Sequence, residues 1–195
     1  MSTAKQVSRR PAAKKRALPA RGAKAGAAVR TMDELMAFAH ALEVEAAERY
    51  AEFADAMEAH NNREVAELFR KLSRIEQKHA EQILEEMRWT VPPRPPTSGY
   101  KWQGPEGPET ADFTSLHYLM QPYHALEIAL VNEKRAHQFF SGLVRRATTE
   151  KVKRAAKEMA AEEAEHVRLI EEWIKKVPLP DARWDVDPDP PRYVD

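Results

Sequence analysis

Glu76-Gln77-Lys78-His79 and Glu163-Ala164-Glu165-His166 are two copies of one pattern, a glutamate followed three residues later by a histidine. On a helix, that spacing puts carboxylate and imidazole on one face. Only two of the seven histidines have a glutamate at that offset, and they lie 87 residues apart. Upstream of each copy is a further glutamate. Glu43 opens Glu43-x-x-Ala46-x-x-x-Tyr50 and Glu133 opens Glu133-x-x-Ala136-x-x-x-Phe140, 90 residues apart. The chain is therefore an internal repeat of two helical hairpins.

The surrounding periodicity is helical. The first helix begins near Thr31, where Thr31-Met32-Asp33-Glu34 is a capping-box pattern. Its inward stripe is Met36, Ala39, Glu43, Ala46/Ala47, Tyr50, Ala54 and Met57. Asn61-Asn62 breaks the run, and Asn61 with Glu64 would cap the next helix. That helix turns Val65, Leu68/Phe69, Leu72, Glu76, His79 and Ile83 inward. The third, from Pro122, carries Leu126, Ala129/Leu130, Glu133, Ala136/His137, Phe140 and Leu143/Val144. Thr148 and Thr149 mark a tight turn, and the fourth helix shows Val152, Ala156, Met159, Glu163, His166, Ile170 and Trp173. All four glutamates lie on apolar stripes, where a solvated carboxylate does not belong. A buried charge is paired or coordinates a metal. One glutamate on each of two helices, with Glu-x-x-His on each of two others, is the ligand set of a carboxylate-bridged di-metal site in a four-helix bundle.

Between the hairpins, Pro92-Pro93-Arg94-Pro95-Pro96, Gly99, Gly104, Pro105 and Pro108 exclude a helix. A loop this long is expected to be a crossover that runs the length of the bundle and starts the third helix parallel to the second. Trp89, Tyr100 and Trp102 would anchor it, and residues 115–121 would form a short helix. The fold class expected is all-α. Residues 1–30 form a basic tail, residues 31–176 the bundle, and residues 177–195 an extended or disordered Pro/Asp-rich tail with no fifth helix.

Net charge is zero but uneven, with nine Lys/Arg and no acid in residues 1–32. The Pro-Ala-Ala-Lys-Lys stretch in this tail resembles the tails of histone-like proteins, which suggests weak, non-specific nucleic-acid binding through phosphates by residues 1–30. Cysteine is absent, which excludes disulfides, iron–sulfur clusters and thiolate zinc sites within these residues. No apolar run approaches membrane-spanning length, and a cytoplasmic location is expected.

Together these motifs resemble the ferritin-like di-iron proteins of the rubrerythrin and bacterioferritin group, over about residues 31–176. The resemblance implies two iron ions, with Mn or a mixed Fe/Mn pair as alternatives. Glu76 and Glu163 would bridge them, Glu43 and His79 would complete one metal, and Glu133 and His166 the other. It implies ferroxidase, oxidase or peroxidase chemistry on Fe(II), O2 or H2O2. The alternatives are iron storage, or a protective protein that docks on nucleic acid through its tail. Rubrerythrins proper also carry a rubredoxin domain with four cysteines, and a further glutamate where this chain has Ala136. An external electron donor and a symmetric, bacterioferritin-type ligand set follow, and a homodimer is expected. Tyr50, two turns from Glu43, is a candidate hydrogen-bond donor to a ligand carboxylate or an electron donor. Glu45, His40 and His137 are read as lying outside the ligand set.

Overall fold

The computed structural model describes residues 29–95 and 111–188. Four long helices make up the body: α1 (Met32–Ala59), α2 (Arg63–Met87), α3 (Pro122–Arg146) and α4 (Glu150–Ile174). No strand occurs among the described residues. Helices α1 and α2 pack as one antiparallel hairpin, and α3 and α4 as a second.

Local chemistry explains where each helix starts. Thr31 Oγ1 accepts from the Glu34 N–H at 3.1 Å, as the capping pattern suggested. The Glu34 carboxylate reaches one residue further back, to the Arg30 N–H at 2.7 Å. At α4 the Thr149 hydroxyl accepts from the Val152 N–H. Pro122 occupies the first turn of α3, where its missing N–H costs nothing. The α2 cap is Asn62, not Asn61. Asn61 is consumed by the turn itself, at φ 59°, a left-handed conformation asparagine tolerates. Asn62 Oδ1 caps Val65, while its Nδ2 donates to the carbonyls of Tyr118 and Met120 at 3.2 and 2.7 Å. One side chain thus starts α2 and secures the end of the crossover. Asn62→Ala should cost about 1–3 kcal/mol, a cap plus stranded carbonyls. Asn61→Gly should be near neutral. Thermal melts of the two variants check this, and equal losses would remove the distinction.

The core is divided. One apolar cluster gathers Tyr50, Phe53, Met57, Val65, Phe69, Leu72, Leu126 and Ile170 at one end of the bundle. The other gathers Leu35, Phe38, Leu42, Ile83, Phe140, Leu143 and Val152 at the opposite end. The C-terminal end of α2 belongs to the second cluster and the N-terminal half of α3 to the first. The connection therefore travels the length of the bundle, and α2 and α3 run parallel.

Two loop expectations change. The short helix is a 3₁₀ turn at Phe113–Ser115, earlier than residues 115–121. Asp112 Oδ1 caps it through the Thr114 N–H, and Pro122 holds Gln121 in an extended conformation. Trp89 does pack on the second cluster, whereas Tyr100 and Trp102 lie outside the described residues. The segment after α4 contains no helix among its described residues, but it is not extended. Trp184 packs on the first cluster and on the His124 ring, 3.8 Å between centroids, and Tyr118 donates to Asp187 at 2.6 Å. The N-terminal boundary shifts too: Val29 is buried, and its carbonyl accepts from the Thr148 N–H at 3.1 Å.

Candidate metal centre

Between the two apolar clusters lies a polar layer. Its charged members are Glu43, Glu76, Glu133 and Glu163, all buried, one from each helix. Helical periodicity alone places them there. Each occupies an inward position whose neighbours one turn away, such as Ala46, Ala80, Ala129 and Ala160, are small and buried. Those alanines leave room for carboxylates to converge.

The glutamates meet the two histidines in matching trios. His79 Nδ1 is 3.0 Å from Glu76 Oε2 and 3.5 Å from Glu43 Oε2. His166 Nδ1 is 3.4 Å from both Glu163 Oε2 and Glu133 Oε2. In each trio the ligand atoms lie within 4.8 Å of one another, close enough to hold one metal ion. The trios adjoin, for the two imidazoles stack with centroids 4.7 Å apart and planes 10° apart. All six residues picked out by sequence spacing are therefore brought together, three from each hairpin.

Electrostatics couples the halves. Burial pushes the Glu43 carboxyl up to about 8, with Glu76 and Glu163 raising it further against the pull of His79. Burial likewise pushes Glu133 up to about 7, again with Glu76 and Glu163 adding to it against His166. Glu76 and Glu163 thus act on both halves of the layer. Burial by itself would lower the imidazoles, but their hydrogen bonds to paired carboxylates outweigh it. His79 is raised to about 10 and His166 to about 11. Without metal, each imidazolium proton stands where a cation would: between two carboxylates.

The donor set fits a pair of divalent metals. Four carboxylates and two imidazoles, with no sulfur, suit iron or manganese. Two divalent cations would balance four carboxylate charges in a layer from which water is largely excluded. Metal binding must displace the imidazole protons and those held by Glu43 and Glu133. At pH 7, loading should release roughly two to four protons per chain, as expected when deprotonated ligands replace protonated ones. Titration in weak buffer measures this, and loading without acidification would argue against these ligands.

Tyr50 is fully buried, stacked on Phe69 with centroids 6.0 Å apart. Its hydroxyl accepts from Asn132 Nδ2 at 3.1 Å. Asn132 was not singled out from the sequence, although it is 1 % exposed and its Oδ1 has no partner. The repeat could have exposed it, because the position matching Asn132 is Leu42 and the one matching Tyr50 is Phe140. One half therefore has a polar pair where the other has two apolar residues. Ala136 is buried and offers no seventh ligand. Glu45, His40 and His137 belong to neither trio.

Among the described residues, no helix is long and apolar enough to cross a membrane. No curated protein matches the chain. Among solved structures, it is similar to an uncharacterised conserved protein from Magnetospirillum magnetotacticum MS-1. Identity is 41%, covering 77% of this chain and 98% of the other, with a TM-score of 0.56. The family model described as rubrerythrin matches residues 34–95 and 124–187, the two hairpins with most of the crossover left out. By helix order, by repeat and by this match, the chain belongs to the rubrerythrin family.

Proposed function

We propose that the protein is a di-iron carboxylate oxidoreductase that oxidises Fe(II) or reduces O2 or H2O2 with electrons from an external donor. The observation that carries this reading is the pair of adjoining Glu-Glu-His trios in a buried layer, coupled through Glu76 and Glu163. Glu43 and His79 would hold one metal, Glu133 and His166 the other, and Glu76 and Glu163 would be shared. Two bound iron ions would supply one-electron redox steps at adjacent centres and open positions for a small oxidant.

The chain's own residues prepare that chemistry. The apolar clusters on either side exclude water from the layer and strengthen its electrostatics. The side chains of His79 and His166 remain about a quarter exposed, at 24% and 25%, so the layer opens to solvent along the imidazole edge. Small molecules would enter and leave there. In the metal-free layer, Glu43 and Glu133, with carboxyls lifted to about 8 and 7, hold protons near neutral pH that incoming metals would displace. Tyr50, whose hydroxyl accepts from Asn132, would be a reserve donor of an electron and a proton.

Aerobic addition of Fe(II) to the full-length protein tests the proposal. About two irons per chain, the number the ligand set can hold, should oxidise rapidly. Oxidation should then slow until a reductant restores turnover with O2 or H2O2. Scattering should report a small oligomer, expected to be a dimer with an isologous contact. A cage-sized particle keeping hundreds of irons per particle in solution, far beyond the roughly two ligand-held sites per chain, would establish storage instead.

A further inference from the structure

We propose that the end of the bundle formed by the α3–α4 turn is a docking surface for the sugar-phosphate backbone of duplex nucleic acid. Between positions 145 and 157 the chain carries six basic residues, Arg145, Arg146, Lys151, Lys153, Arg154 and Lys157, against one acid, Glu150. Arg145, Lys151, Arg154 and Lys157 are exposed, and Lys153 pairs with Glu150 at 3.6 Å.

Helix stability accounts for only part of this charge. Arg145 and Arg146 occupy the last turn of α3, where cations favour the macrodipole, and Arg146 Nε donates to the Gly142 carbonyl. Lys151 and Lys153 occupy the first turn of α4, where the dipole disfavours cations, and Arg154 and Lys157 follow in the next turns. Asp33 and Glu34 open α1 and Glu64 opens α2, as the dipole requires, whereas in α4 the single acid Glu150 stands among several cations. The excess of cations over Glu150 in this stretch is therefore not one that the helix dipole favours.

The basic N-terminal segment leaves the bundle at this same place. The Val29 carbonyl accepts from the Thr148 N–H at 3.1 Å and the Thr148 hydroxyl at 3.4 Å, and Val29 is buried. Nine Lys/Arg within residues 1–32 thus join the chain beside the α3–α4 turn.

The surface also indicates which polyanion it fits. Residues 141–158 contain no aromatic side chain on which an unpaired base could stack. None of the exposed large apolar side chains, Val91, Phe113, Tyr118, Val131, Leu169, Leu179 and Val186, falls in this stretch to enter a lipid interface. Charge without stacking or insertion fits a regular array of phosphates, read without sequence preference.

Fluorescence anisotropy with a short mixed-sequence DNA duplex tests it on the full-length chain. The triple variant Lys151→Glu, Arg154→Glu, Lys157→Glu should bind roughly 10-fold or more weakly, with a salt dependence shallower by about two to three phosphate contacts. A control of equal net charge, Arg63→Glu, Arg74→Glu, Lys176→Glu, should lose far less. Thermal melts show that both variants fold. Equal losses in the two variants would mean that net charge alone matters and would overturn the proposal. So would unchanged binding in the α4 variant alongside loss in Lys14→Gln, Lys15→Gln, Arg16→Gln, which would assign binding to the tail by itself. Capture by phosphatidylserine vesicles without duplex binding would also overturn it, in favour of a lipid surface.

Discussion

Glu163→Ala is expected to leave the protein unable to hold either metal, and Glu76→Ala should behave the same way. Each of these carboxylates acts on both halves of the buried layer, raising Glu43 and Glu133 alike. Loss of a shared ligand should weaken both metals by more than about 100-fold, beyond the 10- to 100-fold cost of removing a group that only orients a ligand. His79→Ala should differ, weakening one metal and sparing the other. Failure to fold does not account for the expected loss. Each variant keeps one carboxylate beside its imidazole, Glu133 for His166 and Glu43 for His79, so the metal-free proteins should still unfold cooperatively, at a temperature below the parent's. Metal analysis after dialysis, with a melt of each metal-free protein, decides the matter. One metal retained at full affinity in Glu163→Ala would end the shared-ligand assignment.

The metal-free protein should lose stability as pH rises, and metal should reverse the trend. The Glu43 and Glu133 carboxyls are lifted from an ordinary 4.5 to about 8 and 7. The His79 and His166 imidazoles are lifted from 6.5 to about 10 and 11. All four shifts have one sign: over these intervals the folded state keeps protons that the unfolded chain has released. Stability from the carboxyls is complete below pH 4.5 and lost through pH 7–8. Stability from the imidazoles is complete below pH 6.5 and lost through pH 10–11. Each group contributes up to about 1.4 kcal/mol per pH unit inside its window. Between pH 5 and 9 the metal-free protein should therefore melt at progressively lower temperature. Metals compete with those same protons, so the stabilisation by Fe(II) or Mn(II) should grow over that range. Melts with chelator and with metal across pH measure both trends. A Glu43→Gln, Glu133→Gln variant with the parent's metal-free profile would show that other groups set the slope.

The six polar residues of the layer were legible because their signal is local. A three-residue offset on a helix fixes a face, and the repeat removed the ambiguity of any one motif. Thr31 and Pro122 were legible for the same reason, since a helix start is decided within four residues. What sequence reading missed depends on contacts distant along the chain. Phe53, Leu42 and Phe139 are buried beside the stripe because neighbouring helices widen the apolar face beyond one row. The choice of Asn62 over Asn61 rests on partners more than fifty residues away, at Tyr118 and Met120. Trp184 and Val29 lie in segments without periodicity, and only tertiary packing reveals their burial. Asn132 was hidden by its neighbour Glu133, which absorbed the explanation for a polar residue on that face.

Each hairpin carries one complete Glu-Glu-His trio, so the metal layer coincides with the seam between two halves of the chain. The crossover then acts as a tether that sets an effective concentration for the second hairpin. Within one chain, that concentration brings the halves together before any metal arrives. If the crossover were cut between the hairpins, the tether would vanish and association would become bimolecular. Metal shared through Glu76 and Glu163 would then supply the missing linkage, and reassembly would depend on metal and on protein concentration alike.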